Sequence, residues 1–283
     1  MKIIFSQECL KYIRKGHPES PERVKRAYEL LKDKYPFVKA NQCSDKELLL
    51  CHSLAHVNSV KEGAFSDADT PNFLDILEYA KLSAGAAIQA AELALVGEKA
   101  FSLMRPPGHH ASASSGPQGF CYFNNIAIAV SKMLKEKKVK KAAILDIDVH
   151  HGNGTQDIFL GNDKVLYISL HQSPLYPETG LVSEKNCINY PLPSGTSEQE
   201  YLDVLEKALE KIQEFNPDIL GISAGFDTFK EDPLASLQLE IESYEKIGKM
   251  INSCNINTFA VLEGGYSSRL GECIHAFLKG IEK

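Results

Sequence analysis

The chain predicts an α/β fold, a mostly parallel sheet with helices on both faces, and three observations carry that expectation. Short runs rich in β-branched and aromatic residues alternate with longer stretches of helical spacing. Those short runs are apolar almost throughout, as strands buried on both faces are. Their C-terminal ends carry His, Asp, Ser and Tyr, which is where an open parallel sheet places its ligand site.

Taken in order, Lys2–Phe5 reads as a strand. Ser20-Pro21-Glu22 opens a helix with a cap, a proline at the first position and an acid near the positive end, and Arg23–Tyr35 continues at helical spacing. Ile76–Val96 is an Ala- and Leu-rich helix closed by Gly97 as a left-handed cap. The remaining strands are Ala100–Met104, Ala142–Val149, Val165–Leu170, Asp218–Ser223 and Thr258–Leu262. Ser197–Phe215 lies between two of them as a helix opened by the capping box Ser197-x-x-Glu200. No linker, repeat or low-complexity segment interrupts residues 1–283, so one catalytic domain is expected.

Composition narrows the class of function. Hydrophobic residues make up 43% and charged residues 24%, an ordinary globular balance. A net charge of -6 argues against broad binding to nucleic acid or anionic membrane, which needs Lys and Arg in excess. Seven scattered cysteines, with no Cys-x-x-Cys pair, fit neither a disulfide framework nor a thiolate zinc site. With no signal-like start and no apolar run near the roughly 18 residues of a membrane span, the expected location is cytoplasmic.

The strand ends carry the chemistry. Asp146-Ile147-Asp148-Val149-His150 alternates, so on a strand both aspartates and His150 face one side while Ile147 and Val149 enter the core. Two carboxylates and an imidazole suit Zn²⁺. Ideal i and i+4 positions are about 13 Å apart, too far to share one ion, so Asp148 and His150 form the closer pair. Asp227, from another strand end, is the natural third ligand and leaves a position open for water and substrate. One Asp-x-His is more often a turn, but three such groups in an apolar strand need a counter-charge. His109 and His110, after the stiff Arg105-Pro-Pro-Gly108, are the proton-transfer candidates. Tyr266, after Gly264-Gly265, offers a phenolic donor for an oxyanion.

Together these residues resemble the histone deacetylase family, which includes acetylpolyamine amidohydrolases and acetoin-utilisation proteins. The resemblance runs from His17 to Tyr266. It rests on Arg105–Ala111, Gly119-Phe-Cys-Tyr-Phe-Asn-Asn125, Asp146–Gln156 and Leu262–Tyr266, in a form similar to the class II branch. It implies an arginase-like, mostly parallel sheet of about eight strands. It also implies one catalytic zinc on Asp148, His150 and Asp227, with His110 as general base and acid. His109 is its partner, held by Asp146, and Asn153 backs the second histidine where class I members have an aspartate. A neutral Asn153 raises the imidazole pKa less than a carboxylate would, leaving His110 more readily basic. By the same resemblance Tyr266 polarises the acetyl carbonyl, Phe120 with Gly119 walls a narrow channel, and Asp69 sits on its rim. Asp146 and Ser169 hold a potassium ion, and Arg23 borders an acetate-release cavity.

The reaction so implied is hydrolysis of an acetyl amide. Polyamine-selective relatives carry an acidic gatekeeper seven residues after the third ligand. Leu234 stands there, so acetyl-lysine in proteins or peptides is the expected substrate. The alternative is an acetylpolyamine or other small acyl-amine, for which Glu19, Asp69 or Glu231 would supply the missing charge. An inactive acyl-lysine-binding domain is a third reading, set back because every catalytic position is filled. Two-manganese arginase chemistry wants more aspartates than the chain offers.

Overall fold

A computed structural model describes residues 1–282, which form one α/β domain. Its strands are β1 (Lys2–Phe5), β2 (Phe37–Lys39), β3 (Ala100–Ser102), β4 (Ala142–Asp146), β5 (Val165–Gln172), β6 (Cys187–Leu192), β7 (Ile219–Ala224) and β8 (Thr258–Leu262). They make one sheet in the order β2-β1-β3-β8-β7-β4-β5-β6, every pairing parallel. The expected parallel sheet of about eight strands is therefore present.

The helices are α1 (Pro21–Leu31), α2 (Asp45–Leu48), α3 (Leu54–Glu62), α4 (Ile76–Leu95), α5 (Asn125–Lys135), α6 (Asn153–Phe159), α7 (Glu198–Phe215), α8 (Ile241–Ser253) and α9 (Leu270–Glu282). They pack as two series, one running α3, α4, α5, α6 and the other α1, α9, α8, α7. Between the two layers β3, β4, β5, β7 and β8 are buried at every residue, which explains their unbroken apolar runs.

Local signals behave largely as read. Ser197 and Glu200 form the reciprocal capping box of α7. Gly97 (φ 80°) turns the chain after α4, its N–H bonding Ala94 O while the Glu98 N–H bonds Leu93 O. Ser20 occupies the N-cap of α1, but its hydroxyl makes no capping bond. That helix ends at Leu31 rather than Tyr35, and a turn over residues 32–34 follows, the Lys34 N–H bonding Leu31 O at 2.9 Å.

Three strand boundaries differ in ways that matter for the site. β4 stops at Asp146, so Asp148 and His150 lie beyond the regular strand, and a period of two does not set their directions. Side-chain bonds turn the backbone instead: Asp148 N–H donates to Asp146 Oδ1 at 3.2 Å, Val149 N–H to Asp227 Oδ1 at 2.9 Å and His150 N–H to Asp148 Oδ1 at 2.9 Å. β5 runs on to Gln172, so His171 sits within the strand, not after it. Asp218 precedes β7, its Oδ2 accepting the Lys140 and Lys141 N–H groups.

Candidate active site

Asp146, at the end of β4, is in register with Ser169 of β5 on one side and Ser223 of β7 on the other. This places the loops after β3, β4, β7 and β8 around one point. Asp148 and Asp227 are buried there, and His150 shows only 12% of its side chain. One ligand atom from each of the three lies within 4.8 Å of the other two.

The donor set fits a metal cation on three observations. Asp227 Oδ2 is buried with no hydrogen-bond donor, and His150 Nδ1 stands 3.3 Å from it. Burial and the neighbouring Asp148 charge both push the Asp227 pKa up, the strain expected of two carboxylates that share a site. Two glycines also keep the space clear. A Cβ on Gly264 would lie 2.0 Å from Asp227 Oδ2, and one on Gly225 would lie 2.1 Å from Asp148 Oδ2. The Gly264 N–H then closes on Asp148 Oδ2 at 2.7 Å. Burial alone would lower the His150 pKa, but its bond to Asp148 and the neighbouring Asp227 charge raise it to about 10.

The pKa values of the two histidines beside this group are shifted in opposite directions. Burial would lower the His109 pKa, yet the charges of Asp148 and Asp146 outweigh it and raise it to about 10. His109 Nδ1 lies 3.1 Å from Asp146 Oδ2. His110 is pushed well below its ordinary value by burial and by the fields of His109 and His150. Its Nδ1 lies 2.8 Å from Asn153 Oδ1. An amide oxygen only accepts, so Nδ1 carries the hydrogen and Nε2 keeps its lone pair.

A cavity of about 330 Å³ ends on His109, His110, His150 and Gly264. Its lining also takes in Pro107, Gly119, Phe120, Tyr266, His17, Pro18, Leu175 and Leu234, with Asp69 and Tyr176 exposed at its mouth. Gly119 (φ 54°) lets the loop pass close to His110, whose ring would lie 2.5 Å from an added Cβ. Tyr266 packs edge-on to Phe120 and under the Arg23 guanidinium, 4.4 Å from its ring centre. Burial holds the Tyr266 phenol well above its ordinary pKa, so it remains a donor.

Of the remaining expected residues, Ser169 bonds His171 Nδ1 at 2.9 Å. The Asp146 carboxylate accepts from His109, Tyr167 and the Asp148 N–H. Arg23 Nε donates to Gly265 O at 2.6 Å and Nη2 to Glu263 O at 2.8 Å, so it braces the loop that carries Tyr266. The three acids weighed as replacements for a gatekeeper separate cleanly. Glu19 is buried in a bidentate pair with Arg105 at 2.7 Å and Glu231 faces Arg269, leaving Asp69 as the one that lines the cavity.

Several residues at the site escaped sequence reasoning. Tyr176 packs edge-on to His110 with ring centres 5.0 Å apart. Asp232 accepts the N–H groups of Leu234, Tyr266 and Ser267, joining the Leu234 segment to the Tyr266 loop. His17 lies beside Phe120, its Nε2 3.0 Å from Asp69 O. A signal existed for Arg105, a charge directly after the apolar run Ala100–Met104 that calls for a counter-charge; for Tyr176 there was none.

The histone deacetylase domain model matches residues 17–281. A probable deacetylase of Archaeoglobus fulgidus is 38% identical over 292 residues, covering 94% of this chain and 81% of that one. Acetylpolyamine amidohydrolases are also among the relatives. That of Mycoplana ramosa is 38% identical over 216 residues, covering 72% of this chain and 63% of its own. The crystal structure of the HDA15 HD domain superposes with a TM-score of 0.91 at 30% identity, covering 99% of this chain and 90% of that one. A buried Asp-His-Asp group beside a cavity that His150 lines, on this sheet and in this sequence company, makes the chain a member of the histone deacetylase family and a hydrolase of its amidohydrolase type.

Proposed function

We propose that the chain hydrolyses the acetyl amide of a small acetylated amine, of the acetylpolyamine kind, using one zinc ion on Asp148, His150 and Asp227. The observation that carries the reaction is the cavity that ends on His110 and His150 with Tyr266 in its wall. Two things favour a small amine over a protein lysine. Relatives that match much of the chain are named acetylpolyamine amidohydrolases. The Asp69 carboxylate stands on the cavity rim, where a second ammonium group of the substrate would arrive. Acetyl-lysine in a peptide is the second reading, supported by Leu234, which gives that part of the rim an apolar surface.

Bound zinc supplies Lewis acidity at the acetyl carbonyl. The chain's residues do the rest. The amine's hydrocarbon part lies between Phe120 and Tyr176, which exclude water. His110, neutral with Nε2 free, takes a proton from the attacking water. The Tyr266 hydroxyl donates to the oxygen on which negative charge develops. A protonated imidazole then delivers a proton to the departing amine, and His109, held charged by Asp146, keeps the local field positive. Acetate is released beside Arg23 and Arg26, which with Tyr266 line a second cavity of about 170 Å³. A structural potassium at Asp146 and Ser169 completes the proposal.

The test is a panel of N-acetylspermidine, N-acetylputrescine, acetyl-lysine peptides and longer acyl-lysines, assayed for acid release by the zinc-loaded protein. The highest kcat/KM is expected on an acetylated polyamine. A preference for acetyl-lysine peptides moves the assignment to the second reading, and no release from any substrate rejects hydrolysis.

A further inference from the structure

Glu263 is wholly buried just beyond the end of β8, three residues before Tyr266. Its carboxylate meets main-chain amides and a hydroxyl rather than a cationic side chain. Oε2 accepts the Gly108 N–H at 2.6 Å and the His109 N–H at 3.2 Å, and Oε1 accepts the Ser223 hydroxyl at 3.1 Å. The residue's own backbone is clamped as well. Its N–H donates to Ala224 O at 3.0 Å, and its carbonyl accepts from Arg23 Nη2 at 2.8 Å. Burying a carboxylate without a cationic partner is costly, so what it holds is informative.

It holds together two loops far apart in the chain. The amides of Gly108 and His109 lead directly into His110, and the Glu263 main chain leads through two glycines into Tyr266. Both side chains line the cavity from opposite loops. The glycines give the Tyr266 loop no side-chain packing of its own, and displacement of a reacting group by about 1 Å can cost on the order of 10²-fold in rate.

We infer that Glu263 is a positioning residue, whose reach across to the Gly108 and His109 amides sets the spacing between His110 and Tyr266. This rests on the proposed amide hydrolysis. Two conservative variants separate reach from charge. Glu263→Asp keeps the charge but is one methylene too short to reach both amides. Glu263→Gln keeps the length and an accepting oxygen for them, and its amide group can donate to Ser223.

The experiment measures kcat and KM of each zinc-loaded full-length variant on the best substrate of the panel, with metal content and hydrogen exchange at the 108 and 109 amides. Glu263→Asp is expected to lose about 10²-fold in kcat with KM changed by less than about threefold, normal metal content and faster exchange at both amides. Glu263→Gln is expected to keep kcat within about threefold, with wild-type protection. An active Asp variant, or a Gln variant as impaired as Asp, overturns the inference in favour of no role or of the charge. A wild-type protein inactive on every substrate rejects the hydrolysis, while exchange still decides the brace: wild-type protection at 108 and 109 in Glu263→Asp overturns it.

Discussion

The floor and the rim of the cavity are built differently. At the floor, Asp146, Asp148 and Asp227 are fully buried, and their positions are set by the N–H groups of residues 148, 149, 150 and 264. At the rim, Asp69 and Leu234 belong to loops, and the contacts that hold them are fewer: Asp69 O faces His17, while the Leu234 N–H bonds Asp232. A floor fixed by many mutually dependent bonds preserves one reaction, whereas a sparsely held rim can change its charge without disturbing that reaction. Chemistry therefore reads more surely than substrate choice.

If the floor is as interdependent as its bonds indicate, Asp227→Ala has the largest effect. The variant is expected to lose bound metal and measurable acetate release together, by elemental analysis and assay. Retention of wild-type metal would exclude Asp227 from the ligand set.

The brace beneath the floor comes next. Glu19 is buried between Arg105 and Arg23, and Glu19→Gln leaves Arg105 without its counter-charge, at a cost of about 3–5 kcal/mol in urea unfolding at pH 7. Burial opposes the Glu19 charge, but Arg105 and Arg23 outweigh it and lower the pKa. The wild-type advantage is thus fully present above the unfolded carboxylate pKa and lost as pH falls through the lower folded value. The stability gap between wild type and variant should narrow below roughly pH 4; a gap independent of pH would show that the charge is not what stabilises.

Tyr266→Phe tests the wall between floor and rim. Fold and metal content should survive, while kcat falls by about 10²–10³ with little change in KM. A near-normal kcat would assign the oxyanion to another donor.

The rim change is the smallest. Leu234→Glu, compared by kcat/KM on acetylspermidine and an acetyl-lysine peptide, should move the ratio toward the polyamine by about 1–3 kcal/mol. The floor is untouched, so kcat on a neutral acetyl amide should hold; if it falls as well, floor and rim are not separable.

Much of this was legible in the residues. The six strands read from apolar runs are the six interior strands, whose burial on both faces leaves an unmistakable pattern. The two that went unread, β2 and β6, are the sheet's edges, where half-exposed positions and Pro191 erase that pattern. The three residues of the buried Asp-His-Asp group could be picked out, because carboxylates and imidazoles in apolar surroundings need a partner. The alternation used to group them was the wrong reason, since the strand ends at Asp146 and side-chain bonds aim Asp148 and His150 beyond it.

By itself the amino-acid sequence determined the layered α/β architecture, the donor atoms at the strand ends and the motif strings that place the chain in its family, since these depend on residue type and local spacing. Only the tertiary structure decided which acid lines the cavity. Glu19, Asp69 and Glu231 are alike as residues, and only packing removes Glu19 to Arg105 and Glu231 to Arg269 while leaving Asp69 on the cavity. It also decided which nitrogen of His110 is free, because that depends on Asn153, 43 residues away in the chain, accepting the hydrogen on the other.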